Sequence, residues 1–368
     1  MKIAILSLRR RFGDVTGDCV QADKTTAALC SLGVDARRYY LAPKTGVVYD
    51  ASNRELGQWQ EVFASMDIVH AIPPIPSCYI EQLPRIKAKL ACSSVFWRSL
   101  TCTRVEHKNI GSLTLQLVKE YVRDLLALIG IKQLTAYRAY DLLLPNSEDE
   151  IRVLRKYARM KRGAKVEAVP NAIDTVPDYV GSLCRSTLVP KEDYILVPGY
   201  FAPRKNQMTL IRALKNAAYE VVFMGKGPCL EKCKANATSR MRFLGHIEHT
   251  SEEFYSIMKY ARVVCLPSNC ETPGIAGLEA AALGARPVVP FEGGTCQYYG
   301  WDAEYHSPID EMSLRVAIDK AWRRGRLNTC ETEKYKSLVW TECASRTIAA
   351  YERTCLCKRL QGKTWLPQ

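Results

Sequence analysis

Acidic residues are in short supply: 52 lysines and arginines stand against 38 aspartates and glutamates in 368 residues, leaving a formal charge of +14. That imbalance favours a polyanionic partner, whether acidic lipid, nucleic acid or a nucleotide substrate, and charge does not choose among them. Long apolar runs are missing too, since none approaches the roughly eighteen residues needed to span a bilayer. The apolar start, Met1–Leu8, carries Arg9, Arg10 and Arg11 after it, the reverse of a secretion signal, and reads as a first strand in a cytoplasmic protein. The βαβ pattern that follows contains no G-x-G-x-x-G, which argues against a dinucleotide site there. Cysteines are numerous, fifteen in all, but metal spacing is absent. Cys229 with Cys233 and Cys355 with Cys357 lack a second pair or nearby histidines, so free thiols in a reducing compartment are expected, with no bound metal.

What is present fits a two-domain globular chain, with 47% apolar and 24% charged residues. Its most informative stretch runs from Arg262 to Gly300 and reads as strand, loop, helix, strand and glycine turn. Val263–Leu266 is a short apolar run closed by Pro267, Ser268 and Asn269, as expected of a buried parallel strand. A helix follows, with Pro273 near its first turn and Gly284 as its stop. Glu271 in the loop and Glu279 on the otherwise apolar helix are separated by seven residues. Both fall near the carboxyl ends of strands, where open α/β sheets bind ligands. The amides around Gly274 and Ile275 are first-turn donors at the positive end of the helix, a seat for phosphate. On spacing alone a second reading stands beside this one, with Glu271 as a capping residue and Glu279 as a solvated helix residue.

The rest of the chain repeats the strand-and-helix rhythm. Val20–Leu32 is a helical pattern ending at Gly33, preceded by a loop holding Gly17 and Asp18. Ser93–Trp97 reads as a strand, and Ile110–Leu134 as one or two long apolar helices. Ser147 with Glu150 has the form of a capping box opening a basic helix from Ile151 to Arg162. Arg152, Arg155, Lys156, Arg159 and Arg162 dominate one side of it, which suits either an anionic membrane surface or an ordinary solvated face. Tyr194–Val197 and Gly199 lead into Arg204 and Lys205. Val221–Met224 leads into Gly225, and Arg242–Leu244 into Gly245, His246 and Ile247.

The central stretch resembles the E-x7-E motif of retaining glycosyltransferases of family 4. Ser268, Glu271, Pro273, Gly274, Glu279, Ala280, Ala282 and Gly284 fall where that family's pattern expects them. Pro145-Asn146-Ser147, Pro170-Asn171-Ala172-Ile173-Asp174 and Gly225-Lys226-Gly227-Pro228 also resemble family loops. The match is dense from Pro145 to Tyr351 and thin before it. Two positions depart from the pattern: Tyr200 stands where the family commonly has an arginine, and Ala172 replaces a glycine.

The resemblance implies an α/β chain of GT-B fold, two Rossmann-like domains facing a cleft. Residues 1–185 would form the acceptor domain, joined by a final helix over 345–368 that crosses back, and residues 186–344 would bind the nucleotide sugar. The implied reaction moves a sugar from a nucleotide diphosphate sugar, with retention, to a glycan or lipid-linked glycan, without metal or other cofactor. Glu271 would sit at the donor sugar and Glu279 at the ribose. Lys205, with Arg204, would hold the diphosphate, near Gly199, Gly225 and the Gly274 and Ile275 amides. His246 and Ile247 would border the base, His107 the donor sugar, and Gly17 and Asp18 the acceptor. A cytoplasmic enzyme peripheral to the inner membrane face fits the charge. A transferase acting on modified nucleic acid and a GT-B binding protein without turnover stay open.

Overall fold

The computed structural model describes residues 1–12, 17–99, 110–128 and 134–361, so the expectation for His107 lies outside the described residues. The chain divides into two compact units. One comprises Met1–Phe96, Val122–Ala172 and Val339–Gln368, the other Trp97–Tyr121 and Ile173–Leu338.

The first unit holds strands β1 (Lys2–Leu8), β2 (Asp35–Ala42), β3 (Val47–Asp50), β4 (Glu55–Gln58), β5 (Ile68–Ala71), β6 (Lys89–Cys92), β7 (Leu142–Leu143) and β8 (Lys165–Val166). They lie in the order β4-β3-β2-β1-β5-β6-β7-β8. Every pairing is parallel except β2 with β3 and β3 with β4. The apolar run in β1 has a simple cause: its two faces both lie under core. Ala4, Leu6 and Leu8 pack into one buried cluster, Ile3 and Ile5 into another. A parallel strand covered on both faces loses the alternation of a half-exposed one.

Helix α1 (Gly17–Ser31) lies beside the last helix, Trp340–Gln361, which belongs to this unit. Ala22, Ala28 and Leu29 of the first share a cluster with Cys343, Ala344, Ala350 and Tyr351 of the last. Helix α3 (Glu148–Tyr157) also belongs to this unit, whereas helix α2 (Ile110–Leu128) is divided between the two units after Tyr121.

Three local expectations are corrected here. The strand expected over Ser93–Trp97 lies earlier, in β6; the Ser93 and Ser94 amides still bond the Ala71 and Leu144 carbonyls, but their hydroxyls turn to buried side chains and the strand does not run on to Trp97. Ser93 meets His70, and Ser94 Oγ and the Phe96 amide both donate to Glu150, each at 2.8 Å. The basic helix expected over Ile151–Arg162 stops at Tyr157, since Ala158 is extended and bridges Leu134, so Arg159 and Arg162 lie beyond it. The capping box is half made. Ser147 accepts from the Glu150 amide, but the Glu150 carboxylate serves Ser94, Phe96 and Asn146 instead of the Ser147 amide. Burial lifts that carboxyl to about 7 against the pull of its three donors.

The second unit is a wholly parallel sheet in the order β11-β10-β9-β12-β13-β14. The strands are β9 (Tyr194–Pro198), β10 (Glu220–Met224), β11 (Met241–Phe243), β12 (Val263–Cys265), β13 (Arg286–Pro290) and β14 (Glu304–His306). Ile195 and Val197 of β9 face one cluster, Tyr194 and Leu196 the other, so this sheet too is covered on both sides. Helix α4, Ile275–Ala282, follows β12, and Pro273 stands just before its first turn.

His70 at the end of β5 is fully buried and joins the last helix to the sheet. Its Nδ1 lies 2.6 Å from the Tyr351 hydroxyl and its Nε2 3.0 Å from Ser93 Oγ. With neutral partners, full burial lowers its pKa to about 3. The unfolded imidazole titrates near 6.5, so between those values only the unfolded chain binds the proton. Stability is therefore full above about pH 6.5 and is lost as the pH falls towards 3, by up to about 1.4 kcal/mol per pH unit. In urea unfolding at pH values from about 6.5 to 4.5, wild type should lose stability more steeply than His70→Asn. Equal slopes would show that this histidine does not set the acid sensitivity.

Candidate functional site

In the second unit, three loops at the carboxyl ends of β9, β12 and β13 converge. The β9 loop turns through Pro203–Lys205, a single 3-10 turn that closes on left-handed Asn206. Backbone fixes it to the β12 loop, where the Asn269 amide donates to the Arg204 carbonyl at 2.9 Å. The β13 loop is fixed in the same way: Glu271 donates to the Glu292 carbonyl at 3.2 Å and accepts from Gly294 at 3.1 Å. A side chain at Gly293 is impossible here, because a Cβ would lie 1.9 Å from the Glu271 carbonyl oxygen at a φ of +104°. Gly225 and Gly227 allow the same closeness between the β10 and β9 loops. A Cβ on Gly225 would fall 2.0 Å from the Gly199 oxygen.

This backbone frame brings Lys205 and Glu271 into direct contact. Lys205 Nζ donates to Glu271 Oε1 at 2.6 Å, with the lysine one-fifth exposed and the carboxylate 6% exposed. Ser268 Oγ donates to the same oxygen. Glu271 Oε2 and the remaining ammonium hydrogens are thereby left for other partners, since an ammonium has three donors and a carboxylate about four acceptor positions. Gly274 precedes α4 at a φ of 85°, and its carbonyl accepts from the buried Tyr299 hydroxyl at 2.9 Å. The Ile275 amide begins the helix, at the end where backbone donors lack intrahelical acceptors.

Glu279 lies one turn before the end of α4, and its side chain is 12% exposed. His249 Nε2 meets its Oε1 at 2.6 Å, while His249 Nδ1 lies 4.0 Å from Asp174. The Tyr255 hydroxyl is pushed up to about 12, by burial first and then by the Asp174 and Glu279 carboxylates. Beside the Glu271 loop a cavity of about 310 Å³ is lined by Phe291, Glu292, Tyr305, His306, Ser307 and Pro308. That is at the small end of small-molecule pockets.

The structure thus gathers Lys205, Glu271, Gly274 and Ile275, with Glu279 further along α4. Gly199 and Gly225 lie in touching loops. Arg204 is exposed and contributes its carbonyl, and Tyr200 is 55% exposed with its carbonyl accepting from Gln207. His246 is exposed and Ile247 packs partly against a core cluster. In the other unit, Gly17 and Asp18 open α1, where Asp18 pairs with Arg11. Sequence reasoning passed over His249 and the Lys205–Glu271 contact. Thirty residues separate His249 from Glu279, and 66 separate Lys205 from Glu271, so no local pattern announces either.

The family model described as "Glycosyl transferases group 1" matches residues 185–300, the stretch that carries this site. No curated protein sequence matches the chain. Among solved structures, sucrose-phosphate synthase from Thermosynechococcus elongatus is similar over 97% of this chain and 100% of its own, with a TM-score of 0.67 and 16% identity. The lipopolysaccharide outer core galactosyltransferase WaaB is similar over 95% and 99%, with a TM-score of 0.66 and 13% identity. HepE from Anabaena, solved with UDP and glucose, is similar over 99% and 100%, with a TM-score of 0.56 and 14% identity. These likenesses establish the fold as GT-B.

The glycine contacts generate a stability prediction. Gly293→Ala and Gly225→Ala should each cost about 2 kcal/mol or more in denaturant unfolding, because backbone must move. Gly181→Ala, with no atom within 4 Å of its Cβ, should change stability by less than about 0.5 kcal/mol. A Gly293→Ala protein as stable as wild type would refute the close approach.

Proposed function

We propose that this chain is a retaining glycosyltransferase that moves a sugar from a nucleotide diphosphate sugar to a glycan or lipid-linked glycan. The observation that carries the reading is the Lys205–Glu271 pair beside the start of α4, with Glu279 further along the same helix. The match to "Glycosyl transferases group 1" over this stretch and the GT-B fold support sugar transfer from a nucleotide sugar. Retention and the acceptor class rest on the E-x7-E resemblance.

In this reading Glu279 accepts the ribose hydroxyls on the oxygen that His249 leaves open. His246 and Ile247 border the base, near the touching Gly199 and Gly225 loops. The diphosphate meets Lys205, with Arg204 beside it, and the Gly274 and Ile275 amides. As the bond to the sugar breaks, negative charge gathers on the leaving phosphate oxygen. A partly buried ammonium and a helix start beside it would stabilise it without reorganising. These cations and dipoles neutralise the leaving group, so the reading calls for no metal ion. Glu271 orients donor hydroxyls through Oε2, while Lys205 ties its other oxygen to the diphosphate. His107 serves the donor sugar from the amino-terminal half, and Gly17 and Asp18 border the acceptor. The net charge of +14 also suits a nucleic-acid acceptor, which steep salt dependence with duplex DNA would reveal.

A screen of nucleotide sugars by thermal shift tests the donor assignment, since a ligand at about a hundred times its Kd adds about 2.7 kcal/mol. Slow hydrolysis of that donor without acceptor separates an enzyme from a binding protein. Glu279→Gln should weaken nucleoside monophosphate and diphosphate alike, by about 1.5–3 kcal/mol for a lost charged hydrogen bond. Lys205→Ala should weaken the diphosphate far more than the monophosphate. Unchanged nucleotide affinity in calorimetry of Glu279→Gln would remove it from the ribose site.

A further inference from the structure

The loop between β11 and the helix Glu252–Tyr260 is shaped around one side chain. Its residue Thr250 has a φ of 66°, in the left-handed region. That conformation is costly for a β-branched residue and persists where surrounding contacts over-determine it. The residue before it makes such contacts. His249 is 45% exposed, yet its ring is held from more than one side. Nε2 lies 2.6 Å from Glu279 Oε1, Nδ1 lies 4.0 Å from Asp174, and the ring stands edge-on to Phe254 with centroids 4.8 Å apart. Phe254 is itself fixed in the first turn of its helix, where its amide donates to Ser251 Oγ at 3.1 Å. All of these residues belong to the second unit.

The direction of the bond to Glu279 follows from its partners. An ionised carboxylate only accepts, so Nε2 carries the hydrogen and the imidazole is the donor. A glutamate side chain without such a donor keeps its rotamer freedom until a ligand arrives, and ordering it then costs affinity. With Oε1 held, Oε2 is presented in one place. We infer that His249 is a positioning residue of the nucleotide site: by holding Glu279 Oε1 it presents Oε2 to the ribose hydroxyls, and so sets the preference for a ribonucleotide over its 2′-deoxy form. The inference rests on the reading of Glu279 as the acid that accepts the ribose. His249 acts through that acid and not on the ligand. A histidine that stacked on the base, or that only shaped the loop, would affect both nucleotides equally, since neither job involves the 2′-hydroxyl.

Calorimetry tests it with UDP, ADP and GDP, of which the tightest is then compared with its 2′-deoxy counterpart. The native chain should favour the ribonucleotide by about tenfold or more, the weight of a hydrogen bond to a charged acceptor. His249→Phe keeps a ring against Phe254 but removes the donor, and should cut that preference to about threefold or less. His249→Gln, whose amide nitrogen can stand where Nε2 stood, should restore most of it. In the Glu279→Gln background, His249→Phe should change the preference no further, because the two side chains act as one. Should the phenylalanine variant not fold, His249→Ala reads the same quantity. A native preference that survives His249→Phe or His249→Ala overturns the inference and leaves Glu279 in the ribose site. So does a glutamine variant as unselective as the phenylalanine one. A native chain that binds none of these nucleotides, or whose preference is absent or survives Glu279→Gln, removes Glu279 from the ribose and the inference with it.

Discussion

A lysine and a glutamate in contact at the meeting of three loops set the conditions for the rest of the second unit. A carboxylate 6% exposed is costly unless its oxygens are served, and Glu271 is served by Lys205 and Ser268. The pair can form only if the β9 and β12 loops are held together, and backbone does that through the Asn269–Arg204 bond. The β13 loop passes close behind Glu271, and that demands a residue without a side chain at Gly293. Glycines at loop crossings and parallel strands buried on both faces thus answer one requirement: two charged side chains held rigidly at a sheet's carboxyl edge.

The same arrangement explains how one ammonium can couple two jobs. With one hydrogen committed to Glu271, Lys205 keeps two for an anion, so in the proposed reading a phosphate and a sugar-orienting carboxylate would share that ammonium. Glu279 is built in parallel, with one oxygen held by His249 and the other available. Each acid is thereby oriented before any ligand arrives, which lowers the ordering cost of binding.

Strand positions were legible wherever the sheets are covered on both sides, because β1, β9 and β12 read as unbroken apolar runs. The GT-B expectation follows from them together with the motif around Glu271. What misled the reading was side-chain competition with backbone. The Ser93 and Ser94 hydroxyls serve His70 and Glu150, and Glu150 itself abandons the Ser147 amide for Ser94, Phe96 and Asn146, the first two more than fifty residues away. The basic run after α3 reads as helix by composition, yet a bridge to Leu134 ends it at Tyr157.

The Lys205–Glu271 pair as a single donor-holding unit is the claim on which the account turns. A double-mutant cycle with Lys205→Ala, Glu271→Ala and the double variant, read as nucleoside diphosphate affinity in calorimetry, measures it directly. The account predicts a coupling energy of about 1 kcal/mol or more, in the range of residues that share one hydrogen-bonded charge network. Losses that simply add, within about 0.3 kcal/mol, would show two independent side chains and contradict it.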